Sequence, residues 1–276
     1  MAMFNEPFNA LLKEAQFAKE LLGSGATQIR NANYATKGIY FQSFTSLSTG
    51  LERIGKLCLM LDYYIETQGK FPDVKYLKNE IGHNILLIYN KSKSVIDSRS
   101  ISLRFLKNLD APIHQNILTV LSDFAEGDRY SNINLLVGSM RTSDPIARWF
   151  EKVDQVIFES YISTARKTKI AQYARTINHM IGTFTSVAYT SEIGGEITSV
   201  KKASYQTGVW KAVAPYRHLF VLQIIRFWVE LLSDLQYKAM EIGKQDIPFL
   251  GEIFAPFYNE DSYFKTRKTW YRIGTG

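Results

Sequence analysis

Four histidines, one cysteine and an arginine–tyrosine pair make up most of the side chains that could do chemistry near neutral pH. His83 stands in Gly82-His83-Asn84, opposite a stripe of Leu77, Ile81, Ile85 and Ile88 and beside Asn79 and Asn90. That polar strip could face a ligand cleft, or its histidine could hydrogen-bond a neighbouring helix. Arg129 and Tyr130 lie in Asp128-Arg129-Tyr130-Ser131-Asn132. There the guanidinium could hold an anion or pair with Asp123, Glu126 or Asp128, leaving the tyrosine ring to cover a core edge. His114 and His218 have no partner at metal-ligand spacing, and Arg175 with His179 is the i,i+4 pair that any exposed helix can carry. No metal site is expected. The Gly-x-x-x-x-Gly-Lys-Ser/Thr loop, the Gly-x-Ser-x-Gly elbow and the dinucleotide fingerprint are all absent, so no cofactor is expected either.

Charge adds a second kind of candidate. The net charge is +7, and residues 146–276 hold 17 basic and 12 acidic side chains against 16 and 14 in residues 1–145. Two clusters account for most of the excess: Arg166, Lys167, Lys169 and Arg175, then Lys265, Arg267, Lys268 and Arg272 among Phe264, Trp270 and Tyr271. Cations next to flat aromatic faces can neutralise phosphates and stack single-stranded bases. On that ground Lys265, Arg267, Lys268, Trp270 and Arg272 are candidate nucleic-acid contacts; the plainer alternative is a solvated basic tail.

These residues must be held by a buried core, which 46% hydrophobic content over 276 residues can supply. Leu47, Leu51, Ile54, Cys58, Leu61 and Ile65 recur at steps of four and three, the spacing of a core helix that carries Cys58 as a buried thiol. Glu52 and Lys56 form a surface pair on that helix. A lone cysteine excludes an internal disulfide and, with no basic-then-apolar leader, leads to a cytoplasmic expectation. The most apolar window, Phe220 to Leu232, is interrupted by Gln223, Arg226 and Glu230 and falls short of the ~18 residues a membrane span needs.

The spacing predicts a helix over residues 7–22 stopped by Gly23-Ser24-Gly25, a second from Gly38 to about Thr67, and a third from Val74 to Val95. Asp97 to Pro112 reads as loop with a short helix, Ile113 to Glu126 as a helix stopped at Gly127, and Asp128 to Arg141 as a loop or broken turn. Ser143-Asp144-Pro145 caps a helical stretch reaching about Ala188, as one helix or two. Thr190 to Gly208 is the clearest loop, with a small hairpin allowed around Glu196 to Val200. A last long helix runs from Trp210 to Ile242, past Pro215, and ends at Gly243. The tail from Pro248 to Trp270 mixes short helix with aromatic-rich irregular structure. With no alternating pattern long enough for a sheet, the fold class is all-α.

Ser43 to Leu57, Gly82-His83-Asn84-Ile85-Leu86-Leu87 and Phe124-Ala125-Glu126-Gly127-Asp128-Arg129-Tyr130 together resemble the HEPN superfamily (higher eukaryote and prokaryote nucleotide-binding), over about residues 38–180. The resemblance implies an up-and-down helical bundle at 36–180; the residue pattern sets a helical arm at 1–35 before it and an additional C-terminal helical region at 181–276 after it. Many members are metal-independent ribonucleases with an Arg-x(4–6)-His motif, in which arginine steadies phosphate charge and histidine moves a proton. Arg129 matches the arginine, but the histidine positions hold Asn134, Leu135 and Leu136. The resemblance therefore implies RNA or nucleotide binding, plausible in phage defence or a toxin-like system, rather than cleavage. Its expected anion contacts are Arg129, Tyr130, Asn134 and His83, with His83 the catalytic candidate if chemistry survives. A homodimer is expected, as are no membrane contact and, as the alternative, a helical scaffold docking a protein through the C-terminal region.

Overall fold

Helix α1 (Glu6–Asn31) begins where Asn5 accepts from the Phe8 N–H at 2.9 Å, with Pro7 in the first turn. The expected stop at Gly23-Ser24-Gly25 does not occur, and the helix runs straight through it. A helical glycine costs about 1 kcal/mol relative to alanine, and the offset here is close packing. A Cβ on Gly25 would lie 2.6 Å from Leu47 Cγ in α2 (Gly38–Glu66), and one on Gly50 would lie 2.8 Å from Leu22 Cγ in α1. The two helices thus exchange a leucine for a glycine at each of two crossings, and Ser43 Oγ donates to the Gly25 carbonyl at 2.9 Å. The N-terminal segment is part of the core rather than an appended arm.

The computed structural model describes residues 4–138 and 143–270. It is 72% helical, with a single two-stranded sheet among the described residues, so the chain is all-α. α2 buries the expected stripe, Leu47 through Leu61 with Cys58 fully enclosed, and packs against α1, α4 (Ile85–Ser98), α5 (Pro112–Glu126) and α10 (Val200–Met240). The third expected helix is two pieces. A turn α3 (Val74–Tyr76) continues into a π-helical turn at Leu77–Ile81, Gly82 breaks the chain at φ +69°, and Asn84 caps α4 (Ile85–Ser98) by accepting from the Leu87 N–H at 2.9 Å. Left-handed backbone suits glycine, and an asparagine that caps a new helix cannot also sit inside the old one.

A loop without helix leads to α5 (Pro112–Glu126), a 3₁₀ turn at Asp128–Tyr130 and α6 (Ser131–Leu136). Asp144, as expected, caps the next stretch, accepting from Ile146 and Ala147. That stretch is α7 (Pro145–Trp149), a π-helical turn at Phe150–Asp154 and α8 (Gln155–Tyr161). It ends before Ser163, whose side chain caps a separate helix, α9 (Thr164–Ile181). The hairpin is β1 (Tyr189–Thr190) paired antiparallel with β2 (Glu196–Ile197).

α10 (Val200–Met240) starts well before Trp210, capped by Ser199. Its first turns carry no full apolar stripe, because Lys201 and Lys202 are exposed and Ala203 to Thr207 are half-buried, with Ala203 and Thr207 meeting the Tyr34 hydroxyl. From Leu219 to Leu232 every residue is buried, with α1, α2, α5 and α12 (Asp261–Thr266) among the neighbours of α10. α11 (Leu250–Phe254), a 3₁₀ turn at Ala255–Phe257 and α12 (Asp261–Thr266) close the fold. One hydrophobic core takes in Leu11, Phe44, Phe124, Trp149, Trp228 and Trp270, so all three expected segments bury side chains together. Among the described residues no helix is long and apolar enough to cross a membrane.

Candidate nucleic-acid interface

Between Glu159 and Glu230 the only acidic residues are Glu192 and Glu196. Over the same span the surface cations are Arg166, Lys167, Lys169 and Arg175 on α9 and Lys201, Lys202 and Lys211 on α10. Among the described residues none of the seven enters an ion pair. Lys167 donates to the Glu159 carbonyl at 2.9 Å and Lys202 to the Glu196 carbonyl, which leaves their charges uncompensated. Like charges gathered without counter-charges produce a positive potential that attracts polyanions.

Packing explains how Arg166, Lys169 and Lys211 come to share one groove. α9 buries only Ile170 and Ala174 fully, and its main neighbour is α10. Gly208 allows the approach, since a Cβ there would sit 2.6 Å from Ile170 Cγ2. The seam leaves a groove of about 600 Å³, with Arg166 and Lys169 on one wall, Lys211 on the other, and Ile170 and Ile177 toward its floor. Tyr173 stands on the same face of α9 as Lys169 and Ile177 and is 65% exposed. The basic cluster on α9 was visible in the sequence, but Tyr173, Lys201, Lys202 and Lys211 were not singled out. The scarcity of acidic residues from 160 to 229 was the signal that could have found them.

The Arg129 and His83 candidates lie elsewhere. Asn84 donates to Glu126, tying the Gly82-His83-Asn84 loop to the end of α5, whose next turn carries Arg129. The two side chains are nonetheless engaged separately. His83 Nδ1 lies 2.9 Å from Glu52 Oε1 and 3.3 Å from Lys56 Nζ, with the ring otherwise exposed. Arg129 donates to the Ala125 carbonyl at 3.1 Å and lies over the Tyr130 ring at 5.4 Å. Its expected partners Asp123 and Asp128 are taken by Arg148, which sequence reasoning missed; Arg148 Nη1 reaches Asp128 at 2.9 Å. Asn134 is half-buried, one turn beyond Tyr130 on α6.

The C-terminal candidates divide. The Trp270 ring is 1% exposed, stacked on Phe257 at 5.6 Å with Tyr263 and Phe264 at its edges, so it cannot present a face to a base. Its backbone N–H donates to Thr27 Oγ1 at 2.8 Å, strapping the tail to α1. Arg267 lies over Trp270 at 4.9 Å and donates to the Thr269 carbonyl, which makes it a lid on that ring. Lys265 and Lys268 are exposed, and Arg272 lies outside the described residues. Beneath the strap Arg30 donates to His218 Nδ1 at 3.1 Å; burial, with Arg30 adding to it, drives the His218 pKa down to about 3.

A second concentration of charge is fully buried. Arg217 of α10 meets Asp154 at 2.7 Å and the Tyr40 hydroxyl at 3.1 Å, and donates to the Ala32 carbonyl. Trp149 Nε1 donates to the other Asp154 oxygen at 3.1 Å. Glu192 on the hairpin lies close enough to feel both charges, and burial raises its carboxyl pKa with Asp154 adding to the push. This cluster joins five parts of the fold and has no open face, so it positions rather than binds. His114, also buried, donates from Nε2 to the Gln223 Oε1 at 2.8 Å, and burial lowers its pKa. Among the described residues no group of three or more histidine, cysteine or carboxylate side chains could hold a metal ion. No family model, curated protein or solved structure matches the chain.

Proposed function

We propose that the protein binds RNA through the basic face of α9 and the first turns of α10. The observation that carries this is the set of seven surface cations that enter no ion pair among the described residues, on α9 and α10, where only Glu192 and Glu196 interrupt a long acid-free stretch. The resemblance to HEPN-like chains leads independently to the same class of ligand. Arg129, exposed and with donors to spare, is then an accessory anion contact at another part of the surface.

Fluorescence anisotropy with labelled RNA tests this. Engagement of Arg166, Lys169 and Lys211 gives a log–log salt slope of about −2.1 for a single strand, or roughly twentyfold weaker binding between 50 and 200 mM salt. Lys169→Glu with Lys211→Glu is expected to abolish binding at moderate salt with the fold intact by circular dichroism. Binding indifferent to both salt and these charges would refute the proposal.

A second reading has its own observation. Tyr130, Ile133, Leu136 and Val137 are all more than half exposed, with Leu136 at 85%. An apolar patch of this kind suits the expected homodimer. Light scattering is expected to give twice the monomer mass, reduced to monomer by Leu136→Asp.

A further inference from the structure

Resting on the RNA-binding reading, we infer that the α9–α10 groove takes a single strand, with a base seated against the Tyr173 ring, and discriminates against a duplex. Phosphate binding alone needs only cations on an open surface. This groove also has an apolar floor at Ile170 and Ile177 and an aromatic ring on its rim, in a cavity of about 600 Å³. That is the size of a small-ligand cleft, within the roughly 300–1,000 Å³ range, and far more than a phosphate fills. A double helix keeps its bases stacked inside and would bring only phosphate and sugar to the groove, leaving Ile177 and the ring in water. A single strand offers both chemistries at once: phosphates for Arg166, Lys169 and Lys211, and an unstacked base for the ring.

The spacing supports simultaneous contact. Arg166, Lys169 and Tyr173 fall at steps of three and four along α9, so the two cations and the ring follow one another along the same wall. No ring contact or hydrogen bond engages Tyr173 within the chain among the described residues, and its 65% exposure leaves a face open. Ser204, half-buried on the α10 wall, adds a hydroxyl within the same groove.

The test measures binding of the full chain to three labelled probes: a short single-stranded RNA, the same sequence as a duplex, and a heparin oligosaccharide that carries anionic charge without bases. The single strand is expected to bind at least tenfold tighter than the duplex. Tyr173→Ala is expected to weaken single-strand binding by about five- to a hundredfold, the range for loss of one stacked base. Tyr173→Phe is expected to retain it, and heparin binding is expected to be indifferent to both changes. Equal affinity for strand and duplex, or a Tyr173→Ala variant that binds the strand like wild type, overturns the inference; if Lys169→Glu with Lys211→Glu still abolishes binding, the RNA-binding reading survives that result. Wild-type protein that binds none of the three probes overturns both.

Discussion

Replacing Arg217 by methionine isolates what the buried charge cluster contributes. The Arg217 side chain is 1% exposed and that of Asp154 is 7% exposed, so Arg217→Met leaves a carboxylate with Tyr40 and Trp149 as its donors and no counter-charge. Breaking one side of such a pair typically costs 3–5 kcal/mol, mainly from the uncompensated ion. For 276 residues the unfolding entropy is about 0.6 kcal/mol per kelvin, so the midpoint is expected to fall by about 5–9 °C. Removing both charges, as Arg217→Met with Asp154→Leu, is expected to cost clearly less than the sum of the two single changes, because neither ion is left unpaired. Thermal and urea unfolding of the three variants supply the cycle. A single Arg217→Met variant that loses less than about 1 kcal/mol, or single changes that simply add, would refute the assignment of the cluster as a coupled unit.

Three further outcomes follow from other sites. His218 is held down to about 3 by burial and by Arg30, so its contribution to stability is complete above an unfolded-state value near 6.5 and is lost as the pH falls from there; urea titrations at pH 7 and pH 5 should show wild type losing about 2 kcal/mol more than His218→Gln. Gly25→Ala is expected to destabilise by about 1–3 kcal/mol despite alanine's better helix propensity, because the new Cβ meets Leu47; unchanged denaturant midpoints would contradict that packing. RNA incubated with the purified protein without metal is expected to remain intact on a gel, and cleavage lost in His83→Ala would transfer catalytic chemistry to the Glu52–His83 pair.

Periodicity made some elements legible and competing signals hid others. α2 and α5 follow their stripes to within a residue or two, and the caps at Asp144 and Gly243 stand where local chemistry puts them. Gly23-Ser24-Gly25 misled because a glycine that ends a helix and one that admits a neighbour's leucine look the same without knowing what α2 brings. Val74 to Val95 misled in the opposite sense, since an unbroken apolar stripe passes across Gly82 and Asn84, where the backbone changes hand and a new helix is capped. At the candidate interface the α9 cations were legible as composition. Lys211 and Tyr173 were not, because only the contact between two helices sets them on one groove. Trp270 illustrates the limit of reading an aromatic within a basic run: position in sequence says nothing of whether the ring faces water or α1.

The strap between Trp270 and Thr27 joins residues 243 positions apart. At synthesis rates of about 5–20 residues per second, a nascent α1 waits some 12–50 s before that partner exists. Until α10 is made, the face of α1 destined for α10 and the tail has α2 as its main cover, since that sequence neighbour is available early and packs on it extensively. The early product of folding is therefore an α1–α2 hairpin with a sticky side, closed only when distant chain arrives. Such a high-separation closure slows the final step and exposes the partly made chain to aggregation or to holding by chaperones.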